Sequence, residues 1–101
     1  MDIYVDIDNT VCQTESTDYE NAKPCFENIE YINSLYEKGH IITYWTARGT
    51  KTNIDWLELT KNQLKEWGAK YHNLKMQKPA YDLFICDKAM TIEILMENKN
   101  V

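Results

Sequence analysis

The sequence predicts an α/β fold, a mostly parallel sheet with helices on its faces. Three observations lead there. Runs such as Ile3-Tyr4-Val5, Ile41-Ile42-Thr43-Tyr44-Trp45 and Leu83-Phe84-Ile85 are β-branched or aromatic and nearly continuous in hydrophobicity, as strands covered on both faces are. Amphipathic stretches at helical spacing lie between them. The resulting order, β-α-β-α-β-β-α, leaves few arrangements other than right-handed crossovers within one sheet.

The first strand occupies residues 3–7 and runs into Asp8-Asn9-Thr10, where turn chemistry takes over. Residues 11–23 are polar and irregular (Gln13-Thr14-Glu15-Ser16-Thr17-Asp18), which predicts a surface loop or small hairpin flap above the end of that strand. Pro24 then stands where a helix begins. Phe26, Ile29, Ile32, Leu35 and Tyr36 recur at helical spacing, and Gly39 after Lys38 is a stop signal. A second strand covers residues 40–45 and ends in Thr46-Ala47-Arg48-Gly49. A second helix carries Ile54, Leu57, Leu64 and Trp67 on one side and closes at Gly68. A short strand is expected between Tyr71 and Met76. Pro79 holds Lys78 in an extended or turn conformation. Residues 82–86 read as the last strand, running into Asp87-Lys88-Ala89, and residues 91–97 as a short final helix with Ile92, Leu95 and Met96 on its apolar side.

Composition narrows the function classes. A chain of 101 residues is one domain, 1–101, and its 27% charged and 44% hydrophobic content is that of an ordinary folded protein. The net charge of −5 disfavours a broad nucleic-acid or anionic-membrane surface. No run reaches the roughly 18 apolar residues that span a bilayer, and Met1-Asp2 does not begin a signal peptide, so a cytoplasmic location is expected. Cys12, Cys25 and Cys86 are odd in number and lack CxxC spacing, which argues against a disulfide framework and a zinc site. They read as reduced thiols, Cys12 and Cys25 half-exposed and Cys86 buried. His40 and His72 have no second His or Cys at ligand spacing and read as structural. The aromatic residues are core and surface mass, with no basic run interleaved for base stacking.

Chemistry concentrates at strand ends. Asp6 lies between Val5 and Ile7, where an unpaired charge would cost several kcal/mol; a metal ion or a phosphate pocket would compensate, the alternative being a strand that simply enters an Asx turn. Ligands of open α/β sheets bind beyond the carboxyl ends of the strands. Asp6, Asp8, Thr46, Lys78 and Asp87 all fall at or just past predicted strand ends and are expected to meet in one crevice. Gathered carboxylates repel unless a cation sits among them, and an all-oxygen set suits Mg²⁺. Lys78 and the Thr46 hydroxyl would complement a phosphoryl group, and a carboxylate so placed can attack phosphorus. Arg48 reads either as a clamp on a substrate phosphate or sugar acid, or as a loop arginine paired with an acidic neighbour. Cys86 reads as a core residue, since nothing near it in sequence lowers its pKa.

These residues resemble the haloacid dehalogenase-like phosphatases. Asp6-Ile7-Asp8-Asn9-Thr10 is similar to their first motif, DxDx(T/V), Thr46 to the second, Lys78 before Pro79 to the third, and Asp87 to the acidic fourth. Leu35-Tyr36-Glu37-Lys38-Gly39-His40, Thr46-Ala47-Arg48-Gly49 and Lys78-Pro79-Ala80-Tyr81-Asp82 are similar to small phosphatases of bacterial capsular polysaccharide biosynthesis; Thr-Ala-Arg-Gly is also similar to polynucleotide 3′-phosphatase domains. The resemblance implies a three-layer Rossmann-like core without a cap domain. It implies an Mg²⁺-dependent phosphomonoester hydrolase acting through an aspartyl-phosphate on a phosphorylated substrate, such as a sugar phosphate or glycan precursor. Asp6 would be the nucleophile and Asp8 the general acid/base, Thr46 and Lys78 would hold the phosphoryl oxygens, and Thr10, Ala47 and Arg48 would line the phosphate or substrate. Asp6, Asp8 through its carbonyl, and Asp87 would hold the metal. Many relatives carry two adjacent acids at the fourth motif, where this chain has Cys86-Asp87; the ligating acid would be the second, with Cys86 replacing an outer contact.

Neither the interval from Thr10 to Thr46 nor that from Thr46 to Lys78 leaves room for a cap once its helix is counted. The site is therefore expected to be open, suited to a large substrate or to closure by the flap or by a neighbouring subunit in a homo-oligomer. Two other classes compete. A phospho-accepting receiver domain has a similar pocket but no acid after its lysine, and a weak Mg²⁺- or phosphate-binding module finds a hint in Cys86.

Overall fold

Strand β4 (Ile41–Trp45) forms the centre of a three-stranded parallel sheet, flanked by β1 (Asp2–Val5) and β5 (Asn73–Lys75), in a computed structural model that describes residues 1–98. Val5 pairs with Tyr44, and Tyr44 with Leu74, so the strands end nearly level. The chain crosses from β1 to β4 through helix α1 (Phe26–Glu37) and from β4 to β5 through α2 (Leu57–Glu66), the α/β alternation the sequence predicts. Residues 91–97, read as the last helix, form α3 at Ile92–Asn98. No helix among the described residues is long and apolar enough to cross a membrane.

One core results from this alternation. Val5, Ile42 and Tyr44 meet Ile29, Ile32 and Leu35 of α1, Leu64 and Trp67 at the end of α2, and Ile92 of α3. Each such aliphatic side chain contributes on the order of 2 kcal/mol by leaving water. Positions alternate across a strand, so Tyr4, Trp45 and Lys75 share the opposite face of the sheet, where the Tyr4 and Trp45 rings meet edge to face at 5.7 Å. Helix α1 ends where Gly39, at φ +96°, lets the backbone N–H groups of Gly39 and His40 turn back onto the carbonyls of Tyr36 and Leu35.

Several expectations need correction. The stretch 11–23 is a hairpin flap, with β2 (Cys12–Gln13) antiparallel to β3 (Lys23–Pro24) around a 3-10 turn at Tyr19–Asn21. Its root is core, however, since Val11 and Cys12 are fully buried. Pro24 belongs to β3 and α1 begins two residues later, after Cys25. Ile54 precedes α2 and is exposed. The cysteine assignment inverts: Cys12 is buried, Cys25 half-buried and Cys86 exposed.

The largest difference concerns residues 82–86, which form no strand. All of residues 79–91 are exposed, Leu83 at 76% and Ile85 at 86%. The reason is chain length. The backbone N–H of Lys78 donates to the Thr46 carbonyl, at the carboxyl end of the sheet, and only residues 79–81 separate it from Asp82. A parallel strand must restart at the opposite end.

Candidate active site

The residues of interest stand where β1 and β4 end. Beyond Val5 the chain passes Asp6 and the buried Ile7, whose carbonyl accepts the N–H groups of Thr10 (3.1 Å) and Val11 (3.0 Å). Asn9 takes φ +63°, a left-handed conformation that Asn tolerates better than most residues. This tight turn separates the two carboxylates into different environments. Asp6 Oδ1 accepts the Ile7 N–H at 2.8 Å, and Asp6 Oδ2 lies 3.6 Å from Lys78 Nζ. Lys78 is fixed through its own backbone: its N–H reaches the Thr46 carbonyl at 2.9 Å and its carbonyl accepts the Thr50 hydroxyl at 2.8 Å. Its ammonium also stands over the rings of Trp45 and Tyr81. Burial holds the Asp6 carboxyl above the usual carboxylate range, outweighing the pull of Lys78 and of the Ile7 N–H, with the Asp8 charge pushing the same way as burial.

Asp8 is bound quite differently. Arg48 Nη2 donates to its Oδ1 at 2.9 Å and Arg48 Nε to its Oδ2 at 3.0 Å, a two-pronged ion pair, and the Thr14 hydroxyl adds a bond to Oδ1 at 2.6 Å. Burial alone would raise this carboxyl, but the bonds from Arg48 and Thr14 prevail and hold it below the usual range. The Arg48 guanidinium is itself buried, with Nη1 donating to Thr60 Oγ1 (3.1 Å) and Gln63 Oε1 (2.6 Å) and its Cζ 4.8 Å from the centre of the Tyr19 ring. Of the two roles open to Arg48, pairing with an acidic neighbour is the one these contacts describe.

Gly49 makes this arrangement possible. It sits at φ +80°, and a Cβ there would collide with the Ile54 carbonyl. The loop it turns borders a cleft of about 270 Å³ lined by Arg48, Ile54, Trp56, Met76 and Gln77.

No family model and no curated protein matches the chain. It is similar to a crystal structure of an MCSG target from Vibrio cholerae, at 26% identity and a TM-score of 0.81, the match covering 99% of this chain and 100% of that one.

Thr46 is buried and its Oγ1 accepts the Arg48 N–H at 3.1 Å, a bond that leaves the hydroxyl hydrogen unused. The Thr10 carbonyl accepts Asn28 Nδ2 at 2.9 Å, and the Ala47 carbonyl accepts the Thr50 N–H at 3.0 Å, so both serve the turns that shape the site. Asp6, Asp8, Thr46, Arg48 and Lys78 are thus linked through direct contacts or through one another. Asp87 is not among them. It lies on the exposed stretch 79–91, where the Cys86 thiol approaches it at 3.9 Å. Among the described residues no group of three or more His, Cys, Asp or Glu side chains is placed to hold a metal ion.

Sequence reasoning missed the supports. Thr60 and Gln63 share the buried side of α2 with Leu64, and polar residues on an otherwise apolar helical stripe were the signal that they hold something. Gln63 Nε2 also donates to the Tyr19 carbonyl at 2.6 Å, and Tyr19 meets Trp56 edge to face, which ties the flap to the Arg48 site.

Proposed function

We propose that this chain is a phosphomonoester hydrolase of the haloacid dehalogenase-like type that works through an aspartyl-phosphate on Asp6. The observation that carries the reading is the contrast between its two carboxylates. Asp6 faces the Lys78 ammonium at 3.6 Å with its side chain 43% exposed, reachable by a substrate, whereas Asp8, two residues further on, is locked by Arg48. A phosphoryl group beside Asp6 would have Lys78 to balance its charge and the spare hydroxyl hydrogen of Thr46 to bind an oxygen.

In this mechanism an Asp6 oxygen attacks phosphorus as the bond to the leaving oxygen breaks, and that oxygen takes a proton from Asp8. Water then attacks the phosphorylated Asp6, giving its proton to Asp8 and restoring both carboxyls. Because Arg48 and Thr14 favour ionised Asp8, its base role in the second step is the better supported one, and the first step suits leaving groups that need little protonation.

Mg²⁺, when bound, would neutralise charge on the transferring phosphoryl group. Asp6 and the Asp8 carbonyl would hold it, with Asp87 as the third ligand of the proposal. One copy alone does not fit that set, since its Asp87 stands on the exposed stretch. A sugar phosphate or glycan precursor is the substrate class that goes with the resemblance to capsule-biosynthesis phosphatases, with the same three-layer core and a cytoplasmic location.

The test is phosphate release from sugar phosphates, nucleotides, 3′-phosphorylated oligonucleotides and phosphopeptides, with and without Mg²⁺. Mg²⁺-dependent release that disappears in Asp6→Asn, with the circular dichroism spectrum unchanged, is expected. Metal-independent release, or full activity in that variant, would overturn the mechanism.

A further inference from the structure

We infer that two copies of this chain exchange residues 79–91, each laying residues 82–86 along the free edge of the other's β1 and so delivering Asp87 to the other's Asp6. The exchange itself rests on the geometry of the arm; the role given to Asp87 rests on the phosphatase reading above.

The arm is patterned as a strand and, among the described residues, pairs with no strand of its own copy. Asp82-Leu83-Phe84-Ile85-Cys86 is an apolar run of strand type, yet Tyr81, Leu83, Phe84 and Ile85 are all exposed. Both ends of the arm are anchored, Lys78 on the Thr46 carbonyl and Ile92 in the core.

The receiving edge is equally specific. β1 is an outer strand of the three-stranded sheet, and no described strand pairs with its other side. The Met1 carbonyl accepts from Ile41 on the β4 side, so by alternation the backbone groups of Asp2, Tyr4 and Asp6 point away, toward an added strand. Tyr4 of that strand also borders a depression of about 610 Å³ that runs across the sheet face toward β5, lined further by Trp45, Lys75 and Met76.

Chain length decides between self and partner. Val5 is level with Tyr44, hence Ile7 with Thr46, and Lys78 bonds Thr46; the arm therefore starts at the end of the sheet where Asp6 and Asp8 stand. A parallel strand that brings Asp87 beside Asp6 must start five residues lower, about 16 Å toward the other end. From Lys78 to Asp82 the fully extended chain reaches about 14 Å at most, before any allowance for the turn and the sideways step beyond β1. The chain's own arm cannot make this pairing, and a second copy's arm can.

Register then assigns the side chains. With the partner's Asp87 opposite Asp6, Ile85 falls opposite Tyr4 and, with Leu83, on the Tyr4 face of the sheet, while Phe84 falls on the core face. Reciprocal exchange of both arms follows the two-fold symmetry of most dimers.

The experiment uses the full chain. Sedimentation equilibrium is expected to give twice the monomer mass. In a Cys86→Ser background, a Tyr4→Cys copy mixed with an Ile85→Cys copy after partial unfolding is expected to yield a disulfide-linked pair. Mixed Asp6→Asn and Asp87→Asn copies are expected to recover about a quarter of wild-type phosphate release, because half the dimers are mixed and each holds one intact site. A monomer, or a dimer without the Tyr4→Cys/Ile85→Cys link, overturns the exchange. A linked dimer whose wild type releases no phosphate upholds the exchange and sinks the phosphatase reading. Active wild type without recovery in the Asp6→Asn/Asp87→Asn mixture overturns delivery of Asp87 across the dimer.

Discussion

Arg48 and Asp8, forty residues apart in the chain, form a partly buried two-pronged ion pair, with Nε and Nη2 at 3.0 and 2.9 Å from the two carboxylate oxygens. Thr60 and Gln63 take both hydrogens of the remaining nitrogen, so four of the five guanidinium N–H groups are bonded within the protein. Such a pair joins the turn after β1 to the loop after β4 and to α2. It therefore fixes the mouth of the site.

Removing the cation leaves a partly buried carboxylate without its partner. Arg48→Ala is expected to lower stability by about 3 kcal/mol, read as a fall in the urea midpoint at unchanged slope. Arg48→Lys keeps the charge but loses the fork and the Thr60 and Gln63 bonds, so it recovers only part of that loss.

The same pair predicts an acid limb. Asp8 titrates below its unfolded value of about 3.9, so its contribution is complete above that pH and is lost as pH falls through the lower folded value. Urea midpoints of the wild type should drop on acidification below about pH 4, and the drop should shrink in Asp8→Asn. Asp6 has the opposite sign: its folded carboxyl titrates above the unfolded value, so its ionised form is penalised at neutral pH. Asp6→Asn is expected to be at least as stable as wild type at pH 7 and to lose that advantage on acidification.

Tyr44 is fully buried in β4 and its hydroxyl has no hydrogen-bond partner among the described residues, while burial pushes its phenol well above the usual range. Tyr44→Phe removes an unmet polar group and keeps the ring that packs edge to face on Tyr71. Stability is expected to rise by about 1 kcal/mol, measured by thermal or urea unfolding.

Two glycines at positive φ should respond differently to alanine. At Gly39 the space is open, so only backbone strain of about 1 kcal/mol is added. At Gly49 the new Cβ meets the Ile54 carbonyl, so the loss should be about twice as large, on the order of 2 kcal/mol or more. Equal losses at the two positions would contradict the close approach.

Much of this molecule is legible in local pattern. The β-branched run at Ile41–Trp45, the helical spacing through Ile29, Ile32 and Leu35, and the turn residues Asp8-Asn9-Thr10 each state their conformation within a few positions, because backbone sterics and side-chain periodicity are local. Residue type at predicted strand ends likewise points to Asp6, Asp8, Thr46, Arg48, Lys78 and Asp87, of which the fold of one copy brings all but Asp87 together. The pairing of Arg48 with Asp8, the buried Thr60 and Gln63 behind it, the inverted burial of Cys12 and Cys86, and the exposed arm were decided only in three dimensions. Ion pairing and burial depend on which distant segments meet. For Leu83-Phe84-Ile85 the deciding quantity was the three-residue span from Lys78 to Asp82, too short to carry a chain back across the sheet whatever the side chains prefer.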